Sequence, residues 1–176
     1  MSSVKDAITK RSSTRGYEKE PLTPDEIRAL IEAGLKAPTA TNRQEIHFTV
    51  VPGDAQILTE IEEEKNRMRE IQDAPHNFYY EAPVVILISA EESFRWSQVD
   101  AGIAVENMAL IAEELGLGNL IIGCIHDAMH GDKRKYFEQA LQIPEGYEFE
   151  IALAVGHKKV SKTPHEYEED KQVTYL

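Results

Sequence analysis

Between residues 96 and 115 the chain reads WSQVDAGIAVENMALIAEEL, and from 101 to 112 apolar positions fall on nearly every side of a helix. Val99, Ile103, Leu110 and Leu115 keep helical spacing, while Ala101, Gly102, Ala104 and Ala109 permit close approach of neighbouring backbones. Only Glu106 and Asn107 interrupt the middle. Such a helix belongs inside, as a core helix, a subunit interface or both. It is about 20 residues long, but Asp100, Glu106, Glu113 and Glu114 argue against a membrane span. Gly116, Leu117 and Gly118 stop it, and NLIIGCI at 119–125 turns directly into a strand pattern.

The same reading along the chain predicts a first helix capped by Ser2 or Ser3, with Val4, Ala7 and Ile8 at helical spacing and an end near Lys10. Thr23, Pro24 and Glu26 form a capping box with proline at the first helical position, and Pro38 ends the helix they begin. A polar loop at 39–44 leads into a strand at 46–51, and 54–72 carries the stripe of a surface helix. PVVILISA at 83–90 is apolar enough for a strand covered on both faces. A helix at 132–141 and a buried strand at 149–156 follow. The charged tail from 157 ends in alternating Val173 and Tyr175, a pattern suited to a sheet edge or a partner subunit.

A chain of 176 residues, 41% hydrophobic and without an internal repeat, fits one domain spanning 1–176. Its 31 acidic and 19 basic residues give a net charge of -12, which argues against nucleic acid or an anionic membrane as a partner. A single cysteine, Cys124, excludes an internal disulfide framework, and the first residues lack an apolar signal core, so a cytoplasmic location is expected. Cys124 lies in an apolar strand pattern that favours a packed, inert thiol.

Candidate chemistry is concentrated in RSSTRGY at 11–17, whose first five residues hold two guanidiniums and three hydroxyls that suit a phosphate, or equally a solvated loop. The glycines at 116, 118 and 123 do not make a dinucleotide fingerprint, and neither a Walker loop nor a GxSxG elbow is present. His126 and His130, four apart, could share a helix face and bind zinc, but no third ligand is evident. Tyr79 and Tyr80 could stack on a substrate or serve as packing.

KRSSTRGY at 10–17, ALIEAGLKAPTATNRQ at 29–44, APVVILISA at 82–90, DAGIAVENMALIAEELGLGNLIIG at 100–123 and the strand ending in Gly156 together resemble the nitroreductase family of FMN-dependent oxidoreductases. The resemblance implies an α+β fold, with a central, mostly antiparallel sheet flanked by helices. It further implies a homodimer packed through the long central helix, with FMN held in clefts built from both subunits. NADH or NADPH would supply hydride, and a flat small molecule such as a nitroaromatic or quinone would accept it. A flavin-binding or flavin-handling protein without turnover is the alternative, and a metal-dependent hydrolase using His126 and His130 is a third.

By position, Arg11, Ser12 and Ser13 match family residues near the ribityl chain and phosphate, and Arg15 matches the cation at the pyrimidine edge. A fixed positive charge there favours the reduced, negatively charged flavin. Pro38, Thr39, Ala40 and Asn42 match the segment that the partner lays against the cofactor, and Ile121, Ile122 and Gly123 match the strand passing the ring system. Lys162 or His165 would provide a second phosphate cation. Where relatives follow the Asn and Gln of the loop with Pro and Trp, this chain has Glu45 and Ile46.

Overall fold

The computed structural model describes residues 3–176. Four strands form one antiparallel sheet in the order β1-β2-β4-β3: β1 (Ile46–Pro52), β2 (Val84–Glu91), β3 (Leu117–Ile122) and β4 (Tyr147–His157). Among the described residues seven α-helices accompany them: α1 (Val4–Lys10), α2 (Pro24–Leu35), α3 (Gln56–Met68), α4 (Ser97–Glu114), α5 (His126–His130), α6 (Arg134–Ala140) and α7 (Glu169–Gln172). The fold is α+β, as the resemblance implied.

The sheet is buried on both faces because its strands send alternate residues into two separate cores. Val85, Leu87, Leu120 and Ala152 pack with Leu58 and Ile61 of α3, Met129 of α5 and Phe137 of α6. Val84, Ile86, Ile88, Leu153 and Val155 pack on the other side with Leu30 of α2 and with Ala101, Val105, Met108, Ala109 and Ala112 of α4.

Local signals explain several boundaries. Ser3 caps α1 by accepting from the Asp6 N–H at 3.1 Å, and Ser2 lies outside the described residues. At α2 the Thr23 hydroxyl accepts from the Glu26 N–H at 3.3 Å, and the Glu26 carboxylate accepts from the Thr23 N–H at 2.7 Å.

Other expectations change. Gly116 alone, at φ 77°, turns α4 into β3, so Leu117 and Gly118 already belong to the strand. The expected helix at 132–141 begins later, and a separate short helix, α5, precedes it. Val173 and Tyr175 join no strand: the Tyr175 hydroxyl instead donates to Glu169 at 2.6 Å. Helix α4 buries only one side in the chain, leaving Val99 52% and Ile103 37% exposed.

The sheet carries one irregularity that matters electrostatically. Ser89 is opposite Phe149 and Ile88 opposite Ile151, so Glu150 is the extra residue of a bulge. Burial, with the neighbouring Glu148 adding to it, pushes the Glu150 carboxyl up to about 7.

At the opposite end of β4, Gly156 lies beside Gly118 of β3. A Cβ at Gly118 would stand 2.7 Å from Thr14 Cγ2, and Thr14 is itself buried, so this glycine lets the N-terminal segment lie on the sheet.

Gly118→Ala should therefore destabilise the fold by about 1–3 kcal/mol in urea denaturation, and Thr14→Ala in the same chain should restore part of the loss. A carboxyl whose folded-state value is raised loses stability as pH climbs from the ordinary carboxylate range through that value. Glu150→Gln should thus melt higher than the parent above about pH 8 and show little difference below about pH 4.5.

Candidate functional site

The 11–18 segment leaves α1 and is sutured to the sheet. Ser13 forms a parallel bridge with Asn119 of β3, and the Thr14 N–H donates to the Asn119 carbonyl at 2.8 Å. The Glu18 N–H donates to the His157 carbonyl, and the Lys159 N–H to the Gly16 carbonyl. Tyr17 is buried with its hydroxyl donating to the Thr14 carbonyl at 3.0 Å, and burial pushes its phenol upward against the opposing effect of Arg15.

This anchoring displays the predicted residues individually. Arg11 caps α1 and places its Nε 3.8 Å from the Glu106 carboxylate of α4. The Ser12 hydroxyl donates to the Lys162 carbonyl at 3.0 Å, which brings the tail beside the segment. Arg15 is exposed, with its Cζ 5.8 Å from the centroid of the Tyr80 ring. His165 is exposed.

The next wall is the end of β3, an edge strand. Because the Asn119 carbonyl faces Thr14, away from β4, the two-residue alternation turns the main-chain groups of Ile121 to the same open edge. Ile122 is buried, Ile121 is half-buried and Gly123 is exposed. A Cβ at Gly123 would meet only Ile151 Cδ1, at 4.0 Å, so this glycine leaves room beside the strand that packing within the chain does not require.

The 38–44 loop is a different construction. A single 3-10 turn, Ala40–Asn42, is preceded by Thr39, whose hydroxyl accepts from the Gln44 N–H at 2.9 Å. Thr41, Asn42 and Gln44 all take left-handed backbone conformations near φ 55–58°. The Ala40 N–H donates to the buried Asp100 carboxylate at 2.8 Å, and Arg43 grips Glu91 through two bonds of 2.6 and 2.7 Å. Residues 41–44 are nevertheless exposed. The loop is turned outward and held in that shape by these bonds.

Arg11 meets α4 at Glu106 and Ala40 meets it at Asp100, positions about 9 Å apart along a helix and on different sides of it. Among the described residues no hydrogen bond or ion pair joins the 11–15 and 38–42 groups. The structure therefore joins Ser12 to the 162 main chain and Ser13 to β3 two residues before 121–123, and leaves 38–42 apart.

Glu45 emerges as more than a departure from the family pattern. Both its carboxylate oxygens are buried with the Asp100 carboxylate as their polar neighbour, and burial, with Asp100 adding to it, holds the carboxyl above the usual range. Asn119 was unremarked in the sequence; its amide donates to the Ala109 carbonyl at 3.2 Å and ties β3 to α4. A lone amide in an apolar strand was the available signal. His126 and His130 do share α5, with rings stacked 4.0 Å apart, and His130 Nε2 lies 3.2 Å from Glu148. Among the described residues no set of three such side chains could hold a metal ion. No helix among them is long and apolar enough to cross a membrane.

Comparison with known proteins matches most of the chain. The model of the Nitroreductase family covers residues 8–157. A Bacillus subtilis protein named FMN reductase (NAD(P)H) is 29% identical over 205 residues, covering 100% of this chain and 76% of that protein. A Desulfitobacterium hafniense nitroreductase solved with bound FMN superimposes with a TM-score of 0.87 at 29% identity, covering 100% of this chain and 99% of that one. A Clostridium difficile FMN-dependent nitroreductase gives 0.84 at 27% identity, with 98% of each chain covered. With the family model covering most of the chain and the whole fold superimposing on that of an FMN-bound nitroreductase, the chain belongs to the nitroreductase family.

Proposed function

We propose that this single-domain chain works as a homodimeric FMN-dependent oxidoreductase, taking hydride from NADH or NADPH and passing it to a flat electrophile such as a nitroaromatic or quinone. The observation that carries the reading is the open edge of β3 at 121–123, with an unfilled Cβ position at Gly123 and the Arg- and Ser-bearing segment fastened alongside. A flat ring with hydrogen-bonding edges fits beside such a strand end, and a phosphate fits the hydroxyl and guanidinium of the segment.

FMN, when bound, supplies the hydride chemistry at its N5, and the chain binds and orients it. Arg11 and Ser13 are the phosphate and ribityl ligands. The Ser12 hydroxyl proton is already directed to the Lys162 carbonyl, so Ser12 acts mainly by holding Lys162, rather than His165, close to the phosphate. Arg15 faces the pyrimidine edge, where its fixed charge favours the reduced cofactor.

The dimer reading rests on exposed apolar surface and on the outward loop. Val4, Ile8, Val99 and Ile103 are 74%, 59%, 52% and 37% exposed. Between α1, α2 and α4 runs a groove of about 510 Å³ lined by Ala33, Leu110 and Ile111. Covering these surfaces with a second copy removes apolar area from water and brings the partner's Pro38, Thr39, Ala40 and Asn42 to the cofactor. The small-molecule substrate then enters a cleft made by two chains.

Purified protein should be yellow, dimeric in sedimentation, and bleached by NADH or NADPH; a colourless protein that takes up no added FMN overturns the proposal, and a yellow protein that neither nucleotide bleaches leaves binding without turnover. Ile103→Glu should shift the protein toward monomer and release FMN together, and a monomer retaining FMN would refute the shared site. Arg15→Ala should lower the two-electron midpoint potential while oxidised FMN stays bound, a differential loss of about 1.4 kcal/mol corresponding to about 30 mV. An unchanged potential with weaker binding of oxidised FMN would instead place Arg15 on the phosphate.

A further inference from the structure

Phe78, Tyr79 and Tyr80 are consecutive aromatics with unlike environments. Phe78 and Tyr79 are buried, edge to face at 4.9 Å, and the Tyr79 hydroxyl donates to the Gly53 carbonyl at 2.9 Å. Both are packing residues. Tyr80 is half-buried, and it and Glu81 are two successive non-glycine residues in the left-handed region, at φ 52° and 57°. Asn77 fastens this turn: its carbonyl accepts from the Tyr80 N–H at 3.2 Å and its side-chain oxygen from the Glu81 N–H at 3.0 Å. A backbone conformation unfavourable to both residues is thus held by specific bonds. Its result is to lay the Tyr80 ring against Arg15, with His76 on the ring's flank at 5.3 Å.

Arg15, Gly16, Tyr80 and Val160 line one side of a cavity of about 630 Å³. Glu18 and Glu81 also line it, yet among the described residues no carboxylate lies within ion-pair distance of Arg15. The Tyr80 ring face is therefore the contact that the structure gives the guanidinium. A ring attracts a cation through its face, and a guanidinium held over a ring keeps N–H groups free for other acceptors. A carboxylate partner would occupy those N–H groups and cancel the charge.

From this geometry we infer that Tyr80 is a positioning residue, holding Arg15 by its ring face so that the guanidinium edge meets the pyrimidine edge of FMN with its charge unneutralised. The inference rests on the proposed placement of Arg15 at the flavin. It predicts that the aromatic face, not the Tyr80 hydroxyl, sets the effect of Arg15 on the reduction potential.

The test uses FMN-loaded dimer and dithionite titration beside a reference dye. Tyr80→Phe should keep the parent potential. Tyr80→Leu should lower it, in the same direction as Arg15→Ala and by less, and should add no further shift in a chain that already carries Arg15→Ala. Fluorinated phenylalanines at position 80 keep the shape of the ring while weakening the attraction of its face for a cation, so the potential should fall stepwise with fluorine number even if Tyr80→Leu does not fold. A parent potential in Tyr80→Leu and across the fluorinated series, with Arg15→Ala still lowering it, overturns the role of Tyr80 and leaves the placement of Arg15 standing. No shift in Arg15→Ala itself overturns that placement and this inference with it.

Discussion

The seating of α4 against the sheet is the interaction on which the other features depend. Ala101, Ala104, Ala109 and Ala112 are fully buried and Val105 nearly so, and small residues at this spacing let the helix lie close to Ile86, Ile88, Leu153 and Val155. Burial of Met108 and Val105 contributes about 1.5–3 kcal/mol each. From that fixed axis the polar side chains reach outward to different parts of the site. Asp100 accepts from the 38–44 loop, Glu106 faces Arg11, the Ala109 carbonyl receives the Asn119 amide, and Glu113 holds Lys158 at 2.7 Å. The helix is therefore at once core, scaffold and, in the proposed dimer, interface.

That arrangement gives the acidic residues of α4 a structural purpose beyond solubility. Each one named above meets a main-chain donor or a basic group from a segment that carries predicted cofactor residues or adjoins them. The Asp100 contact is the most committed, because its carboxylate is buried and Glu45 lies close by with a carboxyl held above the usual range. Two acidic groups in one buried place are tolerable when one keeps its proton. The loop that the partner would use thus rests on a carboxyl pair that the family's usual Pro and Trp would not provide.

What the sequence showed and what it hid divide along a physical line. The α2 capping box, the bounds of α4 and the doubly covered β2 were legible because local hydrogen bonding and the period of the apolar pattern decide them. The five-residue α5, the bulge at Glu150 and the early start of β3 were not, since each depends on a neighbour distant in sequence. The segment 11–15 could be singled out by composition, but its attachment needs Gly118 to leave space for Thr14, a relation across a hundred residues. Gly118 looked like part of a helix stop. The open face of α4 also reads differently in the structure: an apolar pattern all round marks a helix covered on every side, and one chain covers only part of it.

Four arginines of the chain differ in how far carboxylates cancel their charge. Arg43 is clamped to Glu91, and Arg134 is surrounded by Glu92, Glu138 and Glu148, so their charge is largely cancelled where it stands. Arg11 is held more loosely, at 3.8 Å from a half-exposed glutamate, which a phosphate of higher charge could displace. Arg43 also lies over a ring, that of Phe94 at 4.8 Å, but it is clamped to Glu91, whereas Arg15 over Tyr80 has no ion-pair partner among the described residues. In a chain with net charge -12, a guanidinium kept from carboxylates retains a local positive field that the rest of the surface opposes. Such a field distinguishes a neutral ring from a negatively charged one, whereas a neutralised ion pair would bind both nearly alike. In the proposed site, the placement of one arginine on one tyrosine would thus convert a surface cation into a means of setting a redox equilibrium.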